Sequence, residues 1–465
     1  MSLFSAITTA MSGITAVTAQ AQIVSDNISN ATTTGYTEKG VTLAPTTTGG
    51  VLITGYTRST DTAVFSSLCS ALSDSGYCST QNGYMQQLET ILGTSGSSSD
   101  SPALETALTN FTSAWSSLEA DPTNSSLQTA TINAATNLVS AVQTISSQVD
   151  SLNTQINTDI SSDCTDLNSD LQQVADLNTK IAVATSGGQP TGDLEDSRDA
   201  LVQKIAAITN VQVITRSQGQ IALYTNSGYA LLDGSKPQTF AYDGTNVYST
   251  LNPSTSLNTT LSGGSLQAAI NFSATATGTP STDSGTNVIQ KVREQLNAFV
   301  SSLTTGTNTN DFANEYNSAT QGTGESADFF TGTTTSDFGV DAGLVAGTST
   351  IKQAAITPCE TALGDATKSF SGGNLNLTNV SYATMVTGIL SAVQTAASNI
   401  SGLSTSASNT ESYLSESYSN DTGVNSDSET VKLQTLENAY NATSHVIQVI
   451  ETMFTDLEDM FSSTS

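Results

Sequence analysis

The chain has 465 residues and a formal net charge of -29, from 12 Lys and Arg against 41 Asp and Glu. Its length allows two to four domains. The negative balance argues against nucleic acid as a partner and against adsorption to anionic membranes, since both are held by basic patches. Charged residues are only 11% of the chain, with Ser, Thr, Asn and Ala in their place, so stability is expected from many small helix and strand contacts rather than from ion networks.

Residues 2–30 are expected to form one helix. Leu3, Ile7, Ala10, Ile14, Val17, Ala21, Val24 and Ile28 recur at alternating steps of four and three, which draws an apolar stripe like a coiled-coil seam. The stretch is broken by Ser, Thr, Gln and Asn and its start lacks Lys and Arg, so neither a cleaved signal peptide nor a membrane span is expected. Asp26, Asn27, Ser29 and Asn30 crowd the helix end, and Gly35 with Tyr36 closes a turn. Residues 41–58 read as short and extended, with Gly49 and Gly50 as a hairpin turn. Helical periodicity returns over 61–92, and residues 93–101 read as a Gly/Ser connection.

A helix is expected from Ala103 through Trp115 to Leu118, and Asp121 with Pro122 reads as the cap and first turn of the next. That next ladder is long: Leu138, Val142, Ile145, Val149, Leu152 and Ile156, then, after a slip, Leu167, Leu171, Val174, Leu177 and Ile181. It exceeds ordinary globular length and suggests a rod-like bundle. Gly187, Gly188 and Pro190 end it, and Leu201, Ile205 and Ile208 mark a short helix beyond.

From Asn210 the pattern changes to short alternating runs split by Gly, Asn and Asp, with DGSKP and YDGTN as turn segments, as in antiparallel strands. Residues 285–305 carry a helical interlude, and 305–350 read as loops with isolated strands. After residue 380 a further ladder of Tyr382, Val386, Ile389, Val393, Ala396, Ile400 and Leu403 is expected to return beside the 138–181 rod. Leu433, Leu436, Tyr440, Thr443, Ile447, Ile450, Phe454 and Leu457 then repeat the N-terminal spacing. Each end needs a partner for its stripe, and each suits the other. The predicted fold is mainly α with a β-rich insert: a long helical bundle or rod built from the N- and C-terminal halves, plus an outer antiparallel β domain. Three units are expected: 1–40 with 425–465 as paired terminal helices, 41–209 with 371–424 as a helical body, and 210–370 as the β-rich outer domain.

No catalytic, cofactor or metal site is expected. The single histidine, His445, excludes histidine-based metal centres and triads. Asp193, Glu195, Asp196 and Asp199 near Arg198 flank a helix start, where the macrodipole favours acids. Asp456, Glu458 and Asp459 read as a solvated helix end rather than a calcium loop. For Cys69 and Cys78, with Gly76 between them, a local bridge and separate thiols both stay open; Cys164 and Cys359 fit no metal spacing. The candidate sites are therefore packing surfaces.

The segment SDNISNATTTGYTEKGV, residues 25–41, resembles the N-terminal signature of bacterial flagellar rod, hook and hook-associated proteins. ITGYTRSTD at 53–61, SALSDSGYCSTQNGYMQQLETILG at 70–93, DLEDSRDALVQKI at 193–205 and GVNSDSETVKLQTLENAYNATSHVIQVIETMF at 423–454 narrow the resemblance to the FlgK family of hook-associated proteins. It spans nearly the whole chain and is weakest from 240 to 370. Asn27, Ile28, Asn30, Gly35 and Tyr36 match the axial signature, and Ala439, Tyr440 and Ala442 match the small–aromatic–small pattern of the closing helix. Thr34 stands where that family usually has Pro, and Glu437 and Asn438 where paired Gln is common.

The resemblance implies a structural, non-enzymatic role between hook and filament, as a ring of copies. It implies flagellar type III export to the cell exterior, and contacts with hook protein and a second hook–filament junction protein. A cytoplasmic export chaperone at the C-terminal helix is implied as well. The assembly seam would then use Ile7, Ile14, Val17, Val24 and Ile28 from one end, with Leu433, Leu436, Tyr440, Ile447, Ile450, Phe454 and Leu457 from the other. A hook or distal rod subunit of the same axial family is the competing reading, and the long internal ladders favour the junction. A secreted surface adhesin would explain residues 210–350 but gives no reason for matched termini.

Overall fold

The computed structural model describes residues 3–47, 49–93, 103–273 and 287–462. The N-terminal ladder forms α1 (Leu3–Asn30), followed by a hairpin of β1 (Lys39–Pro45) and β2 (Val51–Arg58) closed at Gly49 and Gly50. The next helix, α2 (Thr62–Leu92), starts on Asp61, whose carboxylate accepts from the amides of Ala63 and Val64. Beyond Gly93, the Gly/Ser connection expected from the sequence lies outside the described residues. The chain resumes with α3 (Ala103–Ala120), α4 (Ser125–Ser186) and α5 (Gly192–Ile208).

The spine of the molecule is α4, a single helix of 62 residues and so about 90 Å long. The expected slip lies between residues 156 and 167, where the buried positions step by four, four and three and the 4/3 alternation is broken within one continuous helix. Ile160 and Cys164 occupy those turns and are buried, because an unoxidised cysteine packs as a small hydrophobe. The cap also differs from expectation. Asn124 accepts from the amides of Ser126 and Leu127, while Asp121 accepts from the side chains of Thr123 and Asn124 in the preceding turn.

A bridge between Cys69 and Cys78 is ruled out. Both lie inside α2, which continues through Gly76, and nine helical residues hold them about 13 Å apart; all four cysteines are free thiols. Gly76 is there for a helix crossing instead: a Cβ on it would collide with the carbonyl oxygen of Ala207 in α5.

After α5 the chain makes one antiparallel sheet in the order β3 (Gln212–Thr215), β4 (Ile221–Tyr224), β5 (Ala230–Asp233) and β6 (Lys236–Pro237), then the hairpin of β7 (Phe240–Tyr242) and β8 (Val247–Ser249). DGSKP and YDGTN supply the β5–β6 and β7–β8 turns. Asparagines of α4 act as surrogate strand neighbours. The Asn168 amide accepts from the N–H of Phe240 at 2.7 Å and donates to its carbonyl at 2.8 Å, and Asn178 does the same for Ile221 at 3.1 and 2.8 Å. Backbone groups that the neighbouring strands leave bare are thereby satisfied.

Then come α6 (Gly264–Phe272), α7 (Val288–Thr304), α8 (Phe312–Ser318), the short pair β9 (Phe330–Thr331) and β10 (Gly339–Val340), α9 (Ala342–Val345), α10 (Ile356–Gly364) and the hairpin of β11 (Lys368–Gly372) and β12 (Leu375–Val380). The chain closes with α11 (Tyr382–Thr422) and α12 (Ser426–Ser462). The fold is mainly α, a long helical bundle drawn from both halves of the chain, carrying a strand-rich insert.

The returning helix α11 packs along α2, where Phe65 meets Tyr418 at 5.4 Å between ring centroids, and not along α4 as the spacing suggested. The flanks of α4 are taken by α3, α5, α6 and the strands. One contiguous apolar core runs from Phe65 to Tyr418, and its aromatic centre joins Phe111 and Trp115 of α3 to Phe312, Phe329 and Phe330. The buried apolar side chains of α1 and α12, namely Ala10, Ala16, Val24 and Ile450, lie outside that core. The two terminal helices and the first hairpin thus form an arm, distinct from the helical body.

Candidate functional site: the arm and its polar joint

Helix α1 packs on α12 along one side and on the first hairpin along another. Val24 and Ile450 are buried there, and Ile7, Ile14, Val17, Ile28, Leu433, Leu436 and Ile447 are half-buried. The outer part of the stripe stays open: Tyr440 is 46%, Phe454 41% and Leu457 48% exposed, beside exposed Val446, Val449 and Met453. The helices come close at small residues, so that a Cβ on Gly13 would touch the methyl of Thr443 at 3.7 Å. The hairpin tip is tied to α1 by Thr9 Oγ1, which donates to the Gly49 carbonyl at 3.3 Å, and by Ser12 Oγ, which accepts from the Val51 amide at 3.1 Å.

At the other end of the hairpin a polar joint gathers motif residues from three parts of the chain. Asn27, 1% exposed, donates from Nδ2 to the Lys39 carbonyl and to the Glu429 carboxylate, both at 2.9 Å. Its Oδ1 accepts from the Tyr36 hydroxyl and the Lys39 amide, both at 3.0 Å. The full capacity of the amide is used, which neither Asp nor Leu would reproduce. Nearby, Gly35 adopts φ +80°, the left-handed turn glycine makes without a Cβ clash. Asn30 donates to the Asp26 carbonyl at 3.0 Å and accepts from the Thr33 hydroxyl at 3.2 Å. The Tyr36 ring lies under the Lys39 ammonium, 3.3 Å from its centroid.

The acids of α5 meet the hairpin base from below. Lys39 Nζ pairs with Asp193 at 2.8 Å and Asp196 at 2.9 Å. Arg58 uses all three guanidinium nitrogens, with Glu195 at 2.7 Å, Asp196 at 2.9 Å and Asp199 at 2.5 Å. Asp196 also accepts from the Thr37 hydroxyl at 2.7 Å and amide at 3.2 Å. Side-chain exposure is 9% for Lys39 and 10% for both Arg58 and Asp196. On the far side Lys432 bridges Glu38 at 2.7 Å and Glu429 at 2.6 Å.

Burial by itself disfavours the charge on Arg58, but Asp199, Glu195 and Asp196 outweigh it and raise the pKa above the ordinary arginine value. Lys39 is raised in the same way, its burial outweighed by Asp193 and Asp196. For Arg198, whose Nη1 donates to the Gly219 carbonyl at 2.7 Å, burial wins and the pKa falls despite Asp199 and Glu195.

The expectation that the α5 acids merely favour a helix start is corrected here. Asp193, though exposed, pairs with Lys39, and Glu195, Asp196 and Asp199 face the hairpin cations from less exposed positions. The expected lack of ion networks is corrected with it: one exists, and it is buried. Lys39, Arg58, Thr37 and Glu429 were missed as site residues. A signal was present, since Lys39 and Arg58 pair directly across the hairpin, and like charges placed opposite each other call for acids.

His445 is exposed on α12, as are Asp456, Glu458 and Asp459. Among the described residues, no group of three or more His, Cys, Asp or Glu is placed to hold a metal ion, and no helix is long and apolar enough to cross a membrane. Every cation of the joint is engaged by its carboxylates or by a backbone carbonyl, so what this arrangement offers is mechanical constraint.

Known proteins resemble the chain over part of its length. The family model described as flagellar hook-associated protein FlgK helical domain matches residues 85–330. Flagellar hook-associated protein 1 of Salmonella typhimurium is 27% identical over 248 residues, covering 51% of this chain and 44% of the relative. The protein of the same name from Escherichia coli is 25% identical over 248 residues with the same coverage. The match therefore spans less than half the length of these curated relatives. Among solved structures, the flagellar hook junction protein FlgK from Burkholderia pseudomallei aligns with a TM-score of 0.47 and 21% identity, over 57% of this chain and 46% of that one.

Proposed function

The chain belongs to the FlgK family of flagellar hook-associated proteins, and from that membership we propose that it is a structural subunit joining hook to filament. Its work is to pack rather than to catalyse. The observation that carries this reading is the stripe left open on the arm: Tyr440, Val449, Phe454 and Leu457 stay exposed although α12 already lies on α1. Exposed apolar residues in a row mark a contact surface, and further copies of the same arm would cover them in a closed ring.

In this reading residues 1–40 with 425–465, joined by the first hairpin, form the inner, assembling layer, 62–209 with 371–424 the body, and 210–370 the outward face. The seam positions Ile7, Ile14, Val17, Val24, Ile28, Leu433, Leu436, Tyr440, Ile447, Ile450, Phe454 and Leu457 would line the contacts between copies. Hook protein below and a second junction protein above would be the axial neighbours. The subunit would reach the cell exterior through flagellar export without a cleaved signal, with a chaperone covering α12 beforehand. Electron microscopy of a deletion strain tests the reading. Hooks without filaments, filament protein lost to the medium, and rescue by the intact gene are expected; normal filaments in the deletion strain would overturn it.

A further inference from the structure

The covalent crossings between arm and body are short and adjacent. One runs from Arg58 to Thr62, the other from Thr422 to Ser426. They lie side by side: the Glu38 amide donates to the Thr422 carbonyl at 2.8 Å, the Ser59 amide to the Glu38 carbonyl at 2.7 Å, and Ser59 Oγ to the Asp421 carbonyl at 3.2 Å. Two neighbouring tethers at one point would leave the arm free to swing about them. Short loops that absorb φ/ψ change are where hinges sit.

A third attachment starts beside that point and reaches a different element of the body. The body's α5 reaches the hairpin base through Asp193, Glu195, Asp196 and Asp199, which hold Lys39 and Arg58. A guanidinium engaged through all three nitrogens fixes an orientation as well as a distance. Because these groups are mostly buried, water and salt compete poorly for them. Gly192 completes the fit, since a Cβ there would stand 2.7 Å from Lys39 Cε.

We propose that the Arg58–Lys39 ion cluster is a brace that locks the arm to the body at one angle, turning what the loops would make a hinge into a fixed joint. Arg58 is its principal positioning residue, and Gly192 its clearance. This holds for the single subunit and does not rest on where that subunit assembles.

The test uses the full chain with spin labels at two exposed positions, Gln434 on α12 and Lys204 on α5, and Cys78 replaced by Ser. Pulsed dipolar spectroscopy should give one narrow distance distribution for the parent. Arg58→Gln should widen it at least about twofold, while the thermal melt of the body stays cooperative. A distribution equally narrow in Arg58→Gln, or a broad one in the parent, overturns the brace. If Arg58→Gln melts the body, Gly192→Val takes its place. That change displaces the Lys39 stem and leaves every charge present, so a distribution still narrow there overturns the proposal, and a broad one with the body folded supports it.

Discussion

The indole of Trp115 donates to the carbonyl of Ile356 across 2.9 Å, tying α3 to the start of α10 from 241 positions away in sequence. Both residues are fully buried, and Phe312 and Phe329 stand edge-on to the indole at 4.9 and 5.0 Å. Trp115→Ala should therefore cost about 3–5 kcal/mol through cavity formation, with the Ile356 carbonyl orphaned as well. Chemical denaturation checks the magnitude. Because Phe111 and Trp115 share their core with residues 312–356, replacing 215–365 by a short linker should abolish the cooperative melt of the body, read by circular dichroism.

Asn27→Asp would keep the acceptor, remove both donors and set a carboxylate against Glu429. The first turns of α12 should loosen by about 3 kcal/mol, visible as faster amide hydrogen exchange over residues 426–436. Adding Glu429→Gln restores a donor facing the introduced carboxylate and should recover much of the protection. Additive losses in the double variant would mean that the two side chains do not couple.

Ile447→Asp places a carboxylate in the half-buried contact of α12 with α1, where its partial desolvation weakens that contact. The arm lies outside the body core, so the body's melting temperature should move little. Restoration of filaments by this variant to wild-type levels would show that the contact is not needed for assembly.

Asp163 on α4 is pushed up to about 6, first by burial, with Asp166 and Asp159 adding to it and the bond from Ser265 opposing it. The folded state then holds this proton more tightly than the unfolded chain does. Its contribution to stability is greatest below the unfolded value near 4, declines as pH rises, and is gone above about 6. Asp163→Asn removes that dependence. Relative to the parent it should be stabilising at pH 7 by at most about 3 kcal/mol, with the gap closing toward pH 4 in parallel denaturation curves.

Helices were the legible part, because a 3/4 ladder states both the element and its buried face. Partnership was less so. The α11 stripe of Val386, Ile389 and Val393 fits any apolar groove, and its choice of α2 over α4 follows from which flanks were already filled. The slip over residues 156–167 was readable from spacing; what filled it was less so, because Cys164, 2% exposed, is not ordinarily counted with Leu and Ile. Seam residues such as Val24 and Ile450 were readable from spacing. The joint was not: Arg58 and Asp196 are 138 positions apart, and no local pattern couples them. The Lys39–Arg58 register was the available clue, and it is informative only once the hairpin is aligned.

That same register bears on the order of folding. Closing the first hairpin brings Lys39 against Arg58, a repulsion the local chain has nothing to relieve. Relief comes from α5, which must form and dock before its carboxylates are in range. Long-range contacts of that separation are slow to close. The body should thus fold first while the hairpin stays unsettled, and the arm should take its place as a late step. In stopped-flow refolding this would appear as a slow phase confined to the arm, and neutralising Lys39 should shorten the delay even while it weakens the final joint.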